Sequence, residues 1–145
     1  MILKERIKLI DGFYLDEFFD EKTYRSNKPE DLKRMIDMNL IIGISLLRKN
    51  LKTFFIINNW AVGGKRQWSG YRTKSSPQYK PGSMHSVGKA IDFISYIMTA
   101  ETIRQHIRDN YEIYKPYIKR IESGVSWVHI DSMKTNSDNL IEFKA

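Results

Sequence analysis

Ser83-Met84-His85-Ser86-Val87-Gly88-Lys89-Ala90-Ile91-Asp92 and, further on, Ser126-Trp127-Val128-His129-Ile130-Asp131 are the two stretches that decide how this chain is read. Two histidines and an aspartate are donor types that a divalent zinc ion takes, with three protein ligands leaving a fourth position open for water. His85 sits among Gly and Ser and is expected in a loop. Lys89 to Ile97 is rich in β-branched and aromatic residues and reads as a strand, which places Asp92 on a rigid element. Gly88 gives the backbone freedom to turn from loop into strand. Residue type alone also allows a plainer reading, in which His85 is a surface side chain and Asp92 is satisfied by neighbouring amides.

The 145 residues are enough for one domain with its own core, and 41% hydrophobic with 28% charged residues is ordinary for a globular chain. With no cysteine, disulfides and thiolate metal sites are excluded, and any metal is left to His and carboxylates. Met-Ile-Leu-Lys-Glu-Arg at the start leads into no long apolar run, so the expectation is cytoplasmic synthesis without a signal peptide and without a membrane span. The net charge is +7 and unevenly spread. Between Met38 and Ile91 there is no acid, whereas Arg48, Lys49, Lys52, Lys65, Arg66, Arg72, Lys74, Lys80 and Lys89 all fall there. A positive potential around the proposed site follows. Nucleic acid, an acidic wall polymer and peptides ending in carboxylates are all compatible with it.

Outward from the two stretches, Met1 to Asp11 reads as an edge strand or arm and Phe13 to Phe19 as a short packed segment. Ser26 to Asp31 is a helix entry, with Ser or Asn as cap, Pro in the first turn, and acids that favour the helix dipole. That helix is expected to run to about Lys49, with Leu32, Met35, Ile36, Leu40, Gly43 and Leu47 on one stripe. Leu51 to Trp60 reads as a buried strand. Ala61 to Met84 is a long Gly-, Ser-, Lys- and Tyr-rich connection of the kind that carries function. Thr99 caps a second helix reaching Tyr114, with Ile103, Ile107, Tyr111 and Tyr114 inward and His106 exposed. Tyr117 to Ile121 and Trp127 to Ser132 are two strands joined around Ser123-Gly124, and Lys134 to Ala145 is a tail or a last edge strand. The fold class is α+β: a small antiparallel sheet with helices packed on one side.

Ser83-x-His85-x-x-Gly88-x-Ala90-x-Asp92 followed by Trp127-x-His129-x-Asp131 resembles the signature of the zinc D-alanyl-D-alanine carboxypeptidases and related peptidoglycan peptidases, which share the hedgehog/DD-peptidase fold. Ser69-Gly70-Tyr71-Arg72 is similar to the family's Ser-Gly-Tyr-Arg segment, and Phe13-x-Leu15-x-Glu17-Phe18 matches more loosely. The resemblance implies a single zinc peptidase-like domain over residues 1–145. It also implies zinc held by His85, Asp92 and His129, and substrate carboxylate or peptide backbone held by Arg72 and Ser83. The guanidinium fork suits such a carboxylate.

The chain departs from the family at the catalytic base. Where glutamate-using members carry Glu three residues before the second His, this sequence has Ser126; where others carry His two residues before, it has Trp127. Glu122 fills the gap if Ser123 to Ser126 form a four-residue hairpin loop, because Glu122 then pairs opposite Trp127, on the face of His129 and diagonal to it. Asp131 is expected to orient His129 or a neighbouring amide. The expected activity is hydrolysis of peptide bonds in bacterial peptidoglycan by a zinc metallopeptidase of the D,D-carboxypeptidase or endopeptidase type. Its setting is a phage endolysin or virion-associated lysin acting on the wall. The alternative is a non-catalytic structural or assembly protein of the virion that keeps the fold. A nucleic-acid module ranks last, since no recognised motif accompanies the charge, and no membrane partner is expected.

Overall fold

Short polar caps set most of the helix boundaries. The computed structural model describes residues 2–144. A small ribbon opens the chain, β1 (Lys8–Ile10) antiparallel to β2 (Phe13–Tyr14). Asp20 caps α1 (Glu21–Arg25) by accepting from the Thr23 amide at 3.0 Å. α2 (Pro29–Arg34) carries Pro in its first turn with Glu30 and Asp31 behind it. Ser26 and Asn27 do not cap that helix; they close α1, where the Asn27 side-chain amide donates to the Thr23 carbonyl. Asp37 caps α3 (Met38–Leu51). Thr99 caps α4 (Ala100–Asp109) through the Thr102 amide, as its position implies.

The single helix expected up to Lys49 is therefore two. Its apolar stripe does point inward, with Leu32, Ile36, Leu40, Gly43 and Leu47 buried, but the chain breaks at Met35 to Asp37. The break is where the loop carrying His85 docks: the Asp37 amide donates to the Gly88 carbonyl at 2.9 Å, and the Ser132 hydroxyl donates to the Asp37 carboxylate at 2.6 Å. The second expected helix also divides, at Asn110, into α4 and the single turn α5 (Tyr111–Tyr114). His106 is half-buried rather than exposed, its Nε2 lying 2.7 Å from the Tyr114 hydroxyl.

The main sheet has the order β3 (Ala90–Phe93), β5 (Val128–Asp131), β4 (Arg120–Ser123), β6 (Ile141–Lys144). It is mixed: β3 and β4 run antiparallel to β5, but the final strand β6 lies parallel to β4. The strand expected over Lys89 to Ile97 is confined to four residues. Leu51 to Trp60 is no strand: Leu51 ends α3, the chain that follows points Phe54 out and Phe55 in, and only Ile56 bridges the sheet, at Ile94, before a bend at Ile57.

Period-2 alternation gives the sheet two unlike faces. Ile91, Phe93, Ile121, Val128 and Ile130 join the core with Leu40, Ile44 and Leu47 of α3 and Ile103 and Ile107 of α4. The other face carries Asp92, Arg120, Glu122, His129 and Asp131. The hairpin register differs from the expected one: Arg120 opposes Asp131 and Ile121 opposes Ile130. Continued by one residue, it sets Glu122 across from His129 itself rather than from Trp127.

Gly88 tests how tightly the His85 loop is seated. Its φ is +72°, and a Cβ there would fall 1.8 Å from the Met35 carbonyl oxygen, whereas one on Gly82, at φ +77°, would meet nothing within 4 Å. Gly82→Ala is expected to cost the left-handed strain alone, about 1–2 kcal/mol. Gly88→Ala adds overpacking against backbone, for a total of about 3 kcal/mol or more. Urea unfolding of the two variants side by side checks the difference.

Candidate metal centre

Asp92 and His129 are direct cross-strand partners on β3 and β5, which brings their side chains together on the polar face. His85 arrives from a short 3-10 turn, Met84–Val87, whose entry is fixed by the Ser83 hydroxyl accepting from the His85 amide at 3.3 Å. All three are buried, and one ligand atom from each lies within 4.8 Å of the others. The group lies in a cleft of about 850 Å³ that Arg72, Ser83, Glu122 and Trp127 also line.

The hydrogen bonds fix which ring atoms are free. His85 Nδ1 lies 2.8 Å from the Gly70 carbonyl, which can only accept, so Nδ1 carries the proton and Nε2 presents a lone pair. That lone pair faces Asp92 Oδ1 at 3.2 Å. Lone pairs that face one another at this distance need a proton or a metal ion between them. His129 Nδ1 meets the same Oδ1 at 2.8 Å, and its Nε2 meets Asp131 Oδ2 at 2.9 Å. Donation from Nε2 to Asp131 leaves Nδ1 for an ion, the arrangement by which a carboxylate orients a ligating imidazole. Two imidazole nitrogens and one carboxylate oxygen thus fit a zinc-type ion in number and in kind. Asp131 is fully buried and held in turn by a forked contact from Arg120, with Nη2 to Oδ2 at 2.8 Å.

Ser69-Gly70-Tyr71-Arg72 is the frame of the centre. The Ser69 carbonyl accepts from the Asp92 amide at 2.7 Å, the Gly70 carbonyl holds His85, and the Arg72 amide donates to the His85 carbonyl at 3.1 Å. The Arg72 side chain gives Nη2 to Asp92 Oδ2 at 2.9 Å and Nε to the Trp68 carbonyl at 2.6 Å. Its fork is thus engaged by a ligand of the centre and by backbone, where the sequence suggested a substrate carboxylate. Ser83 borders the cleft, with its oxygen already accepting from the turn. Glu122 is buried to 7% exposure, and its carboxylate borders the cleft next to Arg72.

Burial works against charge throughout this cluster and is overcome by pairing. It drives the His129 pKa down, but the bonds to Asp131 and Asp92 more than offset this and push it up to about 9. Burial raises Asp92 and Asp131, yet contacts with His129 first, and then with His85 and Arg120 respectively, hold both carboxyls below their ordinary value. Burial lowers the pKa of Arg72, against the pull of Asp92 and Glu122.

Sequence reasoning missed the carbonyls of Trp68, Ser69 and Gly70, which have no residue signature, and Arg120, whose signal was only its period-2 spacing from Glu122. Comparison with protein-family models, with curated proteins and with solved structures finds no match to this chain.

Two outcomes are expected. An ion at Nδ1 replaces the proton that His129 holds up to about pH 9, so metal uptake below that pH releases one proton. Zinc affinity should then rise about tenfold per pH unit toward pH 9 and level off above it, read by chelator competition. In the metal-free protein the sign is opposite: a raised histidine pKa stabilises the fold fully below about pH 6.5, and this is lost as pH climbs through about 9. The second outcome concerns Arg72. Because it holds Asp92, Arg72→Ala is expected to weaken zinc affinity by about 10- to 100-fold, as losing an orienting partner does.

Proposed function

We propose that the chain is a zinc metallopeptidase that hydrolyses peptide bonds of bacterial peptidoglycan, as a phage endolysin or virion-associated lysin acting on the wall. The observation that carries this reading is the convergence of His85, Asp92 and His129 in an open cleft beside the Glu122 carboxylate. Substrate class and the hedgehog/DD-peptidase likeness rest on the motif resemblance at Ser69 to Arg72, Ser83 to Asp92 and Trp127 to Asp131.

When bound, a zinc ion supplies a polarised scissile carbonyl and a water acidified to near neutral pH. The chain's own residues do the rest. Glu122, across the hairpin from His129, takes the proton of the attacking water and returns it to the leaving amine. Asp131 holds His129 Nε2–H, and Gly70 holds His85 Nδ1–H, so both rings are pre-set for ligation. Arg72 fixes the Asp92 carboxylate and offsets its charge with that of Glu122 nearby.

Ser126, standing where the resembled family places its acid, favours a second reading: a non-catalytic virion structural domain that keeps the ion for stability. Purified protein assayed for bound zinc and for release of wall peptides, with and without chelator, separates the two. Glu122→Gln is expected to keep zinc and fold while turnover falls by about 10²- to 10⁴-fold. Undiminished turnover would remove Glu122 from the role, and bound zinc without any wall hydrolysis in the unmodified protein would favour the structural reading.

A further inference from the structure

Beside the cleft lies a second groove of about 530 Å³, between the segment that follows β3 and the start of α4. The two are joined: Ile94, Val125 and Ser126 line both. On the far wall stand Tyr96 and Ile97, adjacent in sequence and 83% and 77% exposed. Trp127, 37% exposed, stands on the cleft side of the junction. Single exposed apolar residues need no explanation, but two large neighbours at the wall of a groove continuous with a candidate site do. The groove's cation is not free to receive an anion. Arg104 is buried, donating to the Val125 and Trp127 carbonyls and to Glu101. At the cleft, Arg72 presents Nε and Nη2 to Trp68 and Asp92, Arg66 is held by Ile57 and Ser69, and Arg120 by Asp131. These three guanidinium forks are thus engaged, and the single-point ammoniums of Lys80 and Lys144 are the cleft's other cations.

Resting on the metallopeptidase reading, we infer that this site cuts within an extended or crosslinked peptide rather than trimming a terminal residue. One arm of the substrate lies in the Tyr96–Ile97 groove, and Tyr96 and Ile97 determine specificity for that arm. The occupant is thus the substrate's own chain, placed by continuity with the cleft. Its contact there is apolar and uncharged, in keeping with a groove that has no uncommitted charge on its floor. Hydrolysis adds one water across the amide, with the carboxylate forming on one arm and the amine on the other, and no further reactant is required.

The test uses zinc-loaded protein with two probes, a crosslinked dimer of wall stem peptides and an uncrosslinked stem pentapeptide. Mass spectrometry of the products should show the dimer divided between its stems, with little release of the terminal residue from the pentapeptide. Tyr96→Ala/Ile97→Ala should keep full zinc content and kcat, raise KM for the dimer about tenfold, and leave KM for the pentapeptide unchanged. Terminal release from the pentapeptide at equal or better kcat/KM would overturn the inference, as would a double variant that shifts both probes alike or neither. If neither probe is hydrolysed, the peptidase reading fails, and calorimetric binding of the dimer then judges the groove. Binding about tenfold weaker in the double variant supports the groove as a peptide site, while unchanged or absent binding overturns it.

Discussion

Every part of the centre is built on the Asp92 carboxylate. Oδ1 meets both imidazoles, at 2.8 Å and 3.2 Å, while Oδ2 accepts from Arg72 at 2.9 Å and the backbone amide of the same residue is tied to Ser69. A carboxylate this buried is tolerated only when its charge and lone pairs are all met. Its partners come from three segments far apart in sequence: the Ser69–Arg72 frame, the His85 turn and strand β5. Satisfying one side chain therefore fastens a long connection, which has few ladder bonds of its own, onto the sheet. The helix break at Met35 to Asp37 lies where the same turn docks, with Gly88 seated against the backbone there.

The sheet makes this arrangement affordable by keeping its two faces chemically separate. Ile91, Phe93, Val128 and Ile130 bury in the core, and the residues between them on the same strands point to the cleft. A rigid, close-packed core behind the ligands limits how far they can move, which is what a fixed coordination geometry requires. The C-terminal strand contributes from the outside. Phe143 places its ring edge-on to His129 with centroids 5.4 Å apart, and the Arg120 guanidinium lies 4.4 Å over the same ring. Ring packing and the Asp131–Arg120 pair thus hold His129 from two directions.

What the sequence revealed follows from where the determining information lies. His85, Asp92 and His129 were legible because ligand residue types there fall at the spacing of the resembled motif, and the shared face of Glu122, His129 and Asp131 because a strand has period 2. The hairpin register was not: nothing in Ser123 to Ser126 specifies loop length, and pairing is fixed at the other end, where the Lys119 amide donates to the Asp131 carbonyl at 2.8 Å. The break in the first long helix was hidden because the apolar stripe continues in phase on both sides of it. Leu51 to Trp60 read as a strand from composition, but it finds a sheet partner at one bridge alone. The new role of Arg72 depends on Trp68 and Asp92 converging in space, and composition of a basic loop carries no trace of that.

The charges of the cleft bear on how the site changes when an ion enters. Around His129 stand the Asp92 and Asp131 carboxylates, paired with Arg72 and Arg120 respectively, while Arg66, Lys80 and Lys144 also line the cleft. Hydrogen bonds to Asp131 and Asp92 are what push the His129 pKa up to about 9 despite burial. A divalent ion that replaces the His129 proton adds one positive charge more than it removes. The cluster would then be more positive by one charge than in its protonated form. A more positive centre would favour anionic groups beside it. In the metal-free protein His129 is thus the counter-ion of Asp92 and Asp131, and a dication held by the same side chains would take over that part.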